Sequence, residues 1–212
     1  MEPSRKQLIT RSMGTIFWNG VLFRNPIVVG ALGFYPVVAA GFGLKNAAAL
    51  SILFLLTAIP SQLLMCFLGL LLPEWVRPSA ALAATGIFYV PAALLLQQMM
   101  PGYPQILGMA APLMACNSVL YARAAEYAPE HVFPAVLADS FGCSVGFTAV
   151  VCVTAAVREL WMTGGIWDRG LAGNGVGTGF DFPFAGFLLL GFLAAIVKQM
   201  NLQREKRAVK EG

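Results

Sequence analysis

The chain has 212 residues, 58% of them hydrophobic and 11% charged, with a formal net charge of +4 and a mean hydropathy of +0.73. Such a chain cannot cover itself with polar surface in water, which excludes a soluble globular domain, a disordered segment and a nucleic-acid-binding module. What remains is a polytopic membrane protein.

The first 26 residues carry Arg5, Lys6, Arg11 and Arg24 without an adequate apolar core or a small-residue cleavage site, so no cleavable signal peptide is expected. Met13, Ile16, Phe17, Gly20 and Val21 recur at helical spacing beside Trp18, the pattern of an interfacial helix within a cytoplasmic arm over 1–26. Apolar runs long enough to cross hydrocarbon then follow at about 27–44, 47–72, 79–100, 104–122, 132–157 and 180–200. They define a six-helix membrane domain over 27–200, leaving 201–212 as a basic cytoplasmic tail.

Pro101-Gly-Tyr-Pro104 divides the domain into halves, 27–100 and 104–200, of three segments each. Three is odd, so the halves enter the membrane from opposite sides. Each half opens with a Gly/Pro-interrupted segment, Gly30-Ala-Leu-Gly-Phe-Tyr-Pro36 with Gly41 and Gly43 in the first and Gly108-Met-Ala-Ala-Pro112 with Asn117 in the second. Paired interruptions at corresponding positions point to inverted repeats whose first helices are discontinuous. Ordinary proline kinks in continuous helices are the competing reading. The expected fold is an all-α integral membrane protein of six transmembrane helices, built as two inverted three-helix repeats.

Polar residues inside apolar segments are expensive and mark functional or assembly sites. Asn117, Ser118, Asp139 and Lys45 are the ion-path candidates; a structural carboxylate near a helix start is the alternative for Asp139. Ala138, Gly142 and Gly146 fall four apart, a small-residue stripe suited to close helix packing. Arg158 and Glu159 read as a charged helix boundary. The glycine-rich stretch from Gly164 to Gly179 lacks a phosphate-loop pattern and reads as an outer loop. The four cysteines, Cys66, Cys116, Cys143 and Cys152, form no Cys-x-x-Cys pair, so neither a disulfide framework nor a zinc site is expected. Cys116, beside Asn117 and Ser118, is the weak candidate for a metal-binding thiolate.

Asn19-Gly-Val-Leu-Phe-Arg-Asn-Pro26, Leu32-Gly-Phe-Tyr-Pro36, Arg123-Ala-Ala-Glu126, Ala138-Asp-Ser-Phe-Gly142, Val157-Arg-Glu-Leu160 and Pro183-Phe-Ala-Gly186 occur in this order. Together they resemble the paired six-helix membrane subunits of the Rnf and Nqr electron-transport complexes, most closely the Rnf E-type and Nqr D-type subunits. The resemblance implies pairing with a homologous six-helix subunit of opposite orientation, alongside other complex subunits and lipid, in a sodium- or proton-translocating oxidoreductase of a prokaryotic inner membrane. It also implies a cysteine in each interrupted segment, the two subunits together holding an iron centre. Here Tyr35 and Ser118 stand at those positions. No cofactor is therefore expected in this chain alone, an iron–sulfur centre requiring ligands from Cys116 and a partner.

Two readings stay open. One is a non-catalytic membrane subunit of such a complex, without its own iron centre; the other is a stand-alone transporter or scaffold that has lost the redox role. With six spans both termini share a side, and eleven of the fourteen cations fall on that side, leaving Lys45, Arg158 and Arg169 opposite. This places both termini in the cytoplasm. A reporter fused after Gly212 should be active only if it functions in the cytoplasm, and periplasmic activity there would overturn the orientation.

Overall fold

A computed structural model describes residues 13–18, 20–21, 27, 29–30, 32–40, 43–167, 169–170 and 183–211. Arg5, Lys6, Arg11 and Arg24 of the arm, and most of the loop expected at 164–179, lie outside the described residues. The helices are α1 (Met13–Trp18), α2 (Phe34–Ala40), α3 (Leu44–Leu68), α4 (Arg77–Met99), α5 (Tyr103–Leu107), α6 (Ser118–Ala122), α7 (Phe133–Thr163) and α8 (Pro183–Glu211). Two 3-10 turns, Gly108–Ala110 and Pro112–Cys116, join α5 to α6. A π-turn, Arg123–Tyr127, and a 3-10 turn, Ala128–Glu130, join α6 to α7. A two-residue antiparallel ladder, Gly165–Ile166 with Arg169–Gly170, follows α7. Among the described residues the protein is thus all-α apart from this small hairpin.

Among the described residues five helical segments are long and apolar enough to cross a membrane: Leu44–Leu68, Arg77–Met99, Gln105–Glu130, Phe133–Thr163 and Phe184–Gln203. The expected first span, 27–44, is not one of them. Its described helix is the seven-residue α2, preceded by Gly33 with φ +68°, and an extended Gly43 precedes α3. Left-handed backbone is open to glycine because it has no Cβ. The fourth segment is also broken. Gly108 leaves α5 with φ +53°, Pro112 starts the second 3-10 turn, and Asn117 is extended before α6. Prolines alone do not produce this: α3 runs through Pro60 and α4 through Pro91 without interruption. Each half therefore consists of a broken segment followed by two continuous helices. The helix of the last span continues through the basic tail to Glu211.

The core lies between α3 and α7. The Phe54 and Phe147 rings stack there with centroids 4.1 Å apart and planes 7° from parallel, surrounded by fully buried Leu50, Leu53 and Val151. Both helices are buried over about half of their most apolar stretch, 56% in each case, whereas 17% of α8 is covered, leaving α8 outermost. The arm is part of this packing. A Cβ at Gly142 would lie 2.6 Å from the Phe17 carbonyl oxygen, and one at Gly20 would lie 3.1 Å from the Gly142 backbone. Gly142 is nine residues into α7, about 13 Å along it. Met13–Trp18, expected as a separate interfacial helix, thus seats on the flank of a core helix through glycine-permitted backbone contact.

Gly142→Ala should cost about 1–3 kcal/mol through overpacking and lower the melting temperature of the detergent-solubilised protein. Gly86→Ala, where a Cβ meets nothing within 4 Å, should be neutral or stabilising by up to about 1 kcal/mol.

Candidate functional site

The two breaks touch. The Gly33 N–H donates to Ser118 Oγ at 2.8 Å, and the Gly33 α-carbon is seated so closely that a Cβ would fall 2.9 Å from Asn117 Oδ1 and 2.8 Å from Val119 Cγ2. Asn117 is buried. Its side-chain oxygen caps α6 by accepting the Val119 N–H at 2.9 Å, the preferred use of asparagine at a helix start, and its Nδ2 donates to Met114 Sδ at 3.3 Å. Thr85 of α4 reaches in from outside the break, its hydroxyl donating to the Ala115 carbonyl at 2.8 Å. Ser118 and Cys116 are exposed, as are Tyr35 at 47% and Met109 at 73%. Of the sequence candidates, then, Asn117, Ser118, Tyr35 and Cys116 belong to the region where the breaks meet.

Lys45 and Asp139 do not. Lys45 follows Leu44 at the start of α3, whereas Asp139 adjoins Ser140, whose hydroxyl donates to Gln62 Oε1 of α3 at 2.7 Å. Lys45 and Gln62 are seventeen residues apart on one helix, about 25 Å. The candidates therefore fall at three levels rather than into one cluster.

At the Lys45 level, Arg158 and Glu159 are no surface boundary. Arg158 is 1% exposed and Glu159 6%. Arg158 Nη1 donates to the Val38 carbonyl of α2 at 3.0 Å, and Glu159 Oε2 accepts the Leu44 N–H of α3 at 2.6 Å. One pair of adjacent residues thus holds Val38 of α2 and the start of α3. Each charge suits the helix end it meets, a cation at carbonyls and an anion at N–H groups. Gly186 of α8 packs here too, its virtual Cβ 3.4 Å from Arg158 Nη1.

At the other end, Asp139 Oδ1 is 3.2 Å from Arg123 Nη1. By its place in the sequence Arg123 is a loop cation, but its side chain is only 18% exposed and opens the π-turn. Its guanidinium carbon lies 5.4 Å from the Tyr127 ring centroid. Tyr127 in turn stacks on His131 with centroids 3.8 Å apart. Asp139 Oδ2 and Gln62 Nε2 are buried without a hydrogen-bond partner. Gln62 is not among the sequence candidates, although a glutamine within the apolar run of α3 is the signal for it.

The donor set at the breaks does not fit the thiolate-bound iron centre that the resemblance implies. Ser118 Oγ is engaged by a backbone N–H, Tyr35 offers a phenol, and Cys116 contributes the one thiol of that stretch. Among the described residues no three His, Cys, Asp or Glu side chains gather as a metal site.

Broken helices meeting between continuous apolar ones, with buried ionic groups above and below, define a multi-pass membrane protein. The family model for the Rnf-Nqr subunit, a membrane protein, matches residues 13–198, and the chain belongs to that family. It is 26% identical over 184 residues to the E-type subunit of the Na(+)-translocating ferredoxin:NAD(+) oxidoreductase complex of Acetobacterium woodii, covering 84% of this chain and 92% of that protein. To the E-type subunit of the proton-translocating ferredoxin:NAD(+) oxidoreductase complex of Clostridium ljungdahlii it is 25% identical over 92% of this chain and 93% of the relative. The E-type subunit of the ion-translocating oxidoreductase complex of Shewanella loihica is 28% identical, over 91% and 89% respectively. The chain is accordingly a membrane subunit of an Rnf/Nqr-type complex, and other subunits of that complex are its partners.

Ser118→Ala removes the acceptor of the Gly33 N–H and should cost about 1–3 kcal/mol. Glu159→Ala should cost a similar amount. Hydrogen exchange should localise the two losses, with Ser118→Ala deprotecting the start of α2 and Glu159→Ala the start of α3.

Proposed function

We propose that this chain pairs with a homologous six-helix subunit of opposite orientation, the two meeting across the breaks around Tyr35 and Cys116 in the cytoplasmic membrane. Both termini face the cytoplasm in this reading. The observation that carries it is exposure at the breaks: Tyr35, Met109, Leu113, Cys116 and Ser118 lie uncovered where the backbone departs from continuous helix. Irregular backbone is not tolerated against lipid, because each unsatisfied N–H or C=O costs several kcal/mol there, so another protein surface must cover it.

Within the complex the subunit couples electron transfer to movement of a cation, as the names of the relatives express for their own assemblies. It is not catalytic alone. The ion path runs by Asn117 and Ser118 at the breaks, Lys45 near one end and Asp139 near the other. The chain by itself holds no iron centre, because tyrosine and serine oxygens replace thiolates where a cluster normally requires four cysteines.

A cysteine at Tyr35 should crosslink to the equivalent position of the partner, whereas one at Leu70, exposed just beyond the end of α3, should not. Isolation as a stable, functional monomer without crosslinks would favour the stand-alone transporter instead. Anaerobically purified chain should carry no stoichiometric iron, and iron lost on Cys116→Ala would show that Cys116 is a ligand.

A further inference from the structure

We propose that Arg123 is a tethered counter-cation that competes with a small monovalent cation for the carboxylate of Asp139. The proposal rests on the ion-path reading above and assigns the regulation of that path.

Asp139 is 4% exposed. A carboxylate so placed cannot remain ionised without a positive charge beside it. Arg123 supplies one, yet engages it loosely. A single Nη1 to Oδ1 contact at 3.2 Å exceeds the about 2.7–2.9 Å of a good charge-assisted bond, and the guanidinium fork that could take both oxygens takes one. Oδ2 is left buried and unpartnered, as is Gln62 Nε2 on the facing helix. Buried polar atoms without partners are rare enough in native proteins to indicate a place for something the protein itself does not supply.

The guanidinium touches a second partner in the same position. Tyr127, four residues on in the same π-turn, presents its ring 5.4 Å from the Arg123 guanidinium carbon, within the roughly 6 Å range of a cation–π contact. His131 fixes that ring by stacking at 3.8 Å. Single π-turns of this kind recur at functional sites. Exchange in this proposal is charge-neutral at Asp139: a cation arrives, the guanidinium gives up the carboxylate and keeps its contact with Tyr127, and the carboxylate is never left alone. One carboxylate suits a single positive charge. Divalent cations call for several oxygen ligands, and among the described residues no group of three acidic, His or Cys side chains is assembled. Na+ and H+ share the required chemistry. The other titratable side chains around the pair are Tyr127 and His131 on the turn and Cys143 on α7.

The test uses membrane vesicles carrying the full complex, with ferredoxin-dependent NAD+ reduction and charge uptake titrated against NaCl at constant ionic strength, then against pH without Na+. Arg123→Gln removes the competitor, so half-saturating Na+ should fall about tenfold, a usual size for coupling between two charges at one site. Tyr127→Leu removes the contact that the guanidinium keeps and should raise it. If the cation is H+, the Na+ curves stay flat and the pH profile moves upward for Arg123→Gln and downward for Tyr127→Leu. A merely structural Arg123–Asp139 pair would lower rates in both variants without moving half-saturation or the pH profile in opposite directions, which overturns the proposal. Should Arg123→Gln fail to assemble, as judged by co-purifying subunits, the direction of the Tyr127→Leu shift decides. Asp139→Asn separates the layers. Full cation-coupled uptake in that variant defeats the ion-path reading itself, whereas lost coupling there with unmoved midpoints in the other two defeats only the counter-cation.

Discussion

A backbone amide or carbonyl in hydrocarbon must find a partner within the protein, and this requirement governs the residues around the two broken segments. A continuous helix meets it internally. Two broken segments do not, and the partners they lack come from side chains on neighbouring elements. Ser118 accepts from Gly33, Thr85 donates to Ala115, Arg158 donates to Val38 and Glu159 accepts from Leu44. Three of these four links join segments more than eighty residues apart in sequence, so the breaks are held by the assembled bundle and not by local turns.

Much of the fold is legible in the sequence because it follows from local chemistry. Continuous apolar runs produce α3 and α4 within a few residues of their expected limits and the starts of α7 and α8 likewise, although α7 and α8 run on to Thr163 and Glu211, and Gly33, Gly108, Pro112 and Asn117 mark the interruptions through their backbone preferences. The assignment of charge is where the sequence misleads. Arg123 and Arg158 sit where apolar runs end, and position along the chain cannot distinguish a solvated arginine from one folded back onto a distant carbonyl or carboxylate. Likewise Met13–Trp18 is short and modestly apolar, and nothing in those residues discloses that Gly142, more than a hundred residues later, leaves a seat for the Phe17 backbone.

The candidate site is only partly legible for the same reason. Polarity within an apolar run selects individual residues and not their companions. Asn117 and Ser118 stand out by it, but Gly33, which places the first break against them, carries no polar side chain at all. Asp139 stands out too; its setting does not, because Arg123 reaches it from another element. Pairwise geometry supplies the division into three levels, breaks in the middle and ionic groups toward either end of α7.

That division gives α7 a mechanical character. The helix spans 31 residues, contains no proline after its first turn, and is gripped near one end through Asp139 and near the other through Arg158 and Glu159. Kinks in long helices arise chiefly at proline and other local defects, and the glycine seat at Gly142 is braced from outside by Phe17 and Gly20. The interval from Asp139 to Arg158 is nineteen residues, about 28 Å, so a single unbroken helix ties the buried carboxylate at one end to the backbone of both α2 and α3 at the other, through two adjacent side chains.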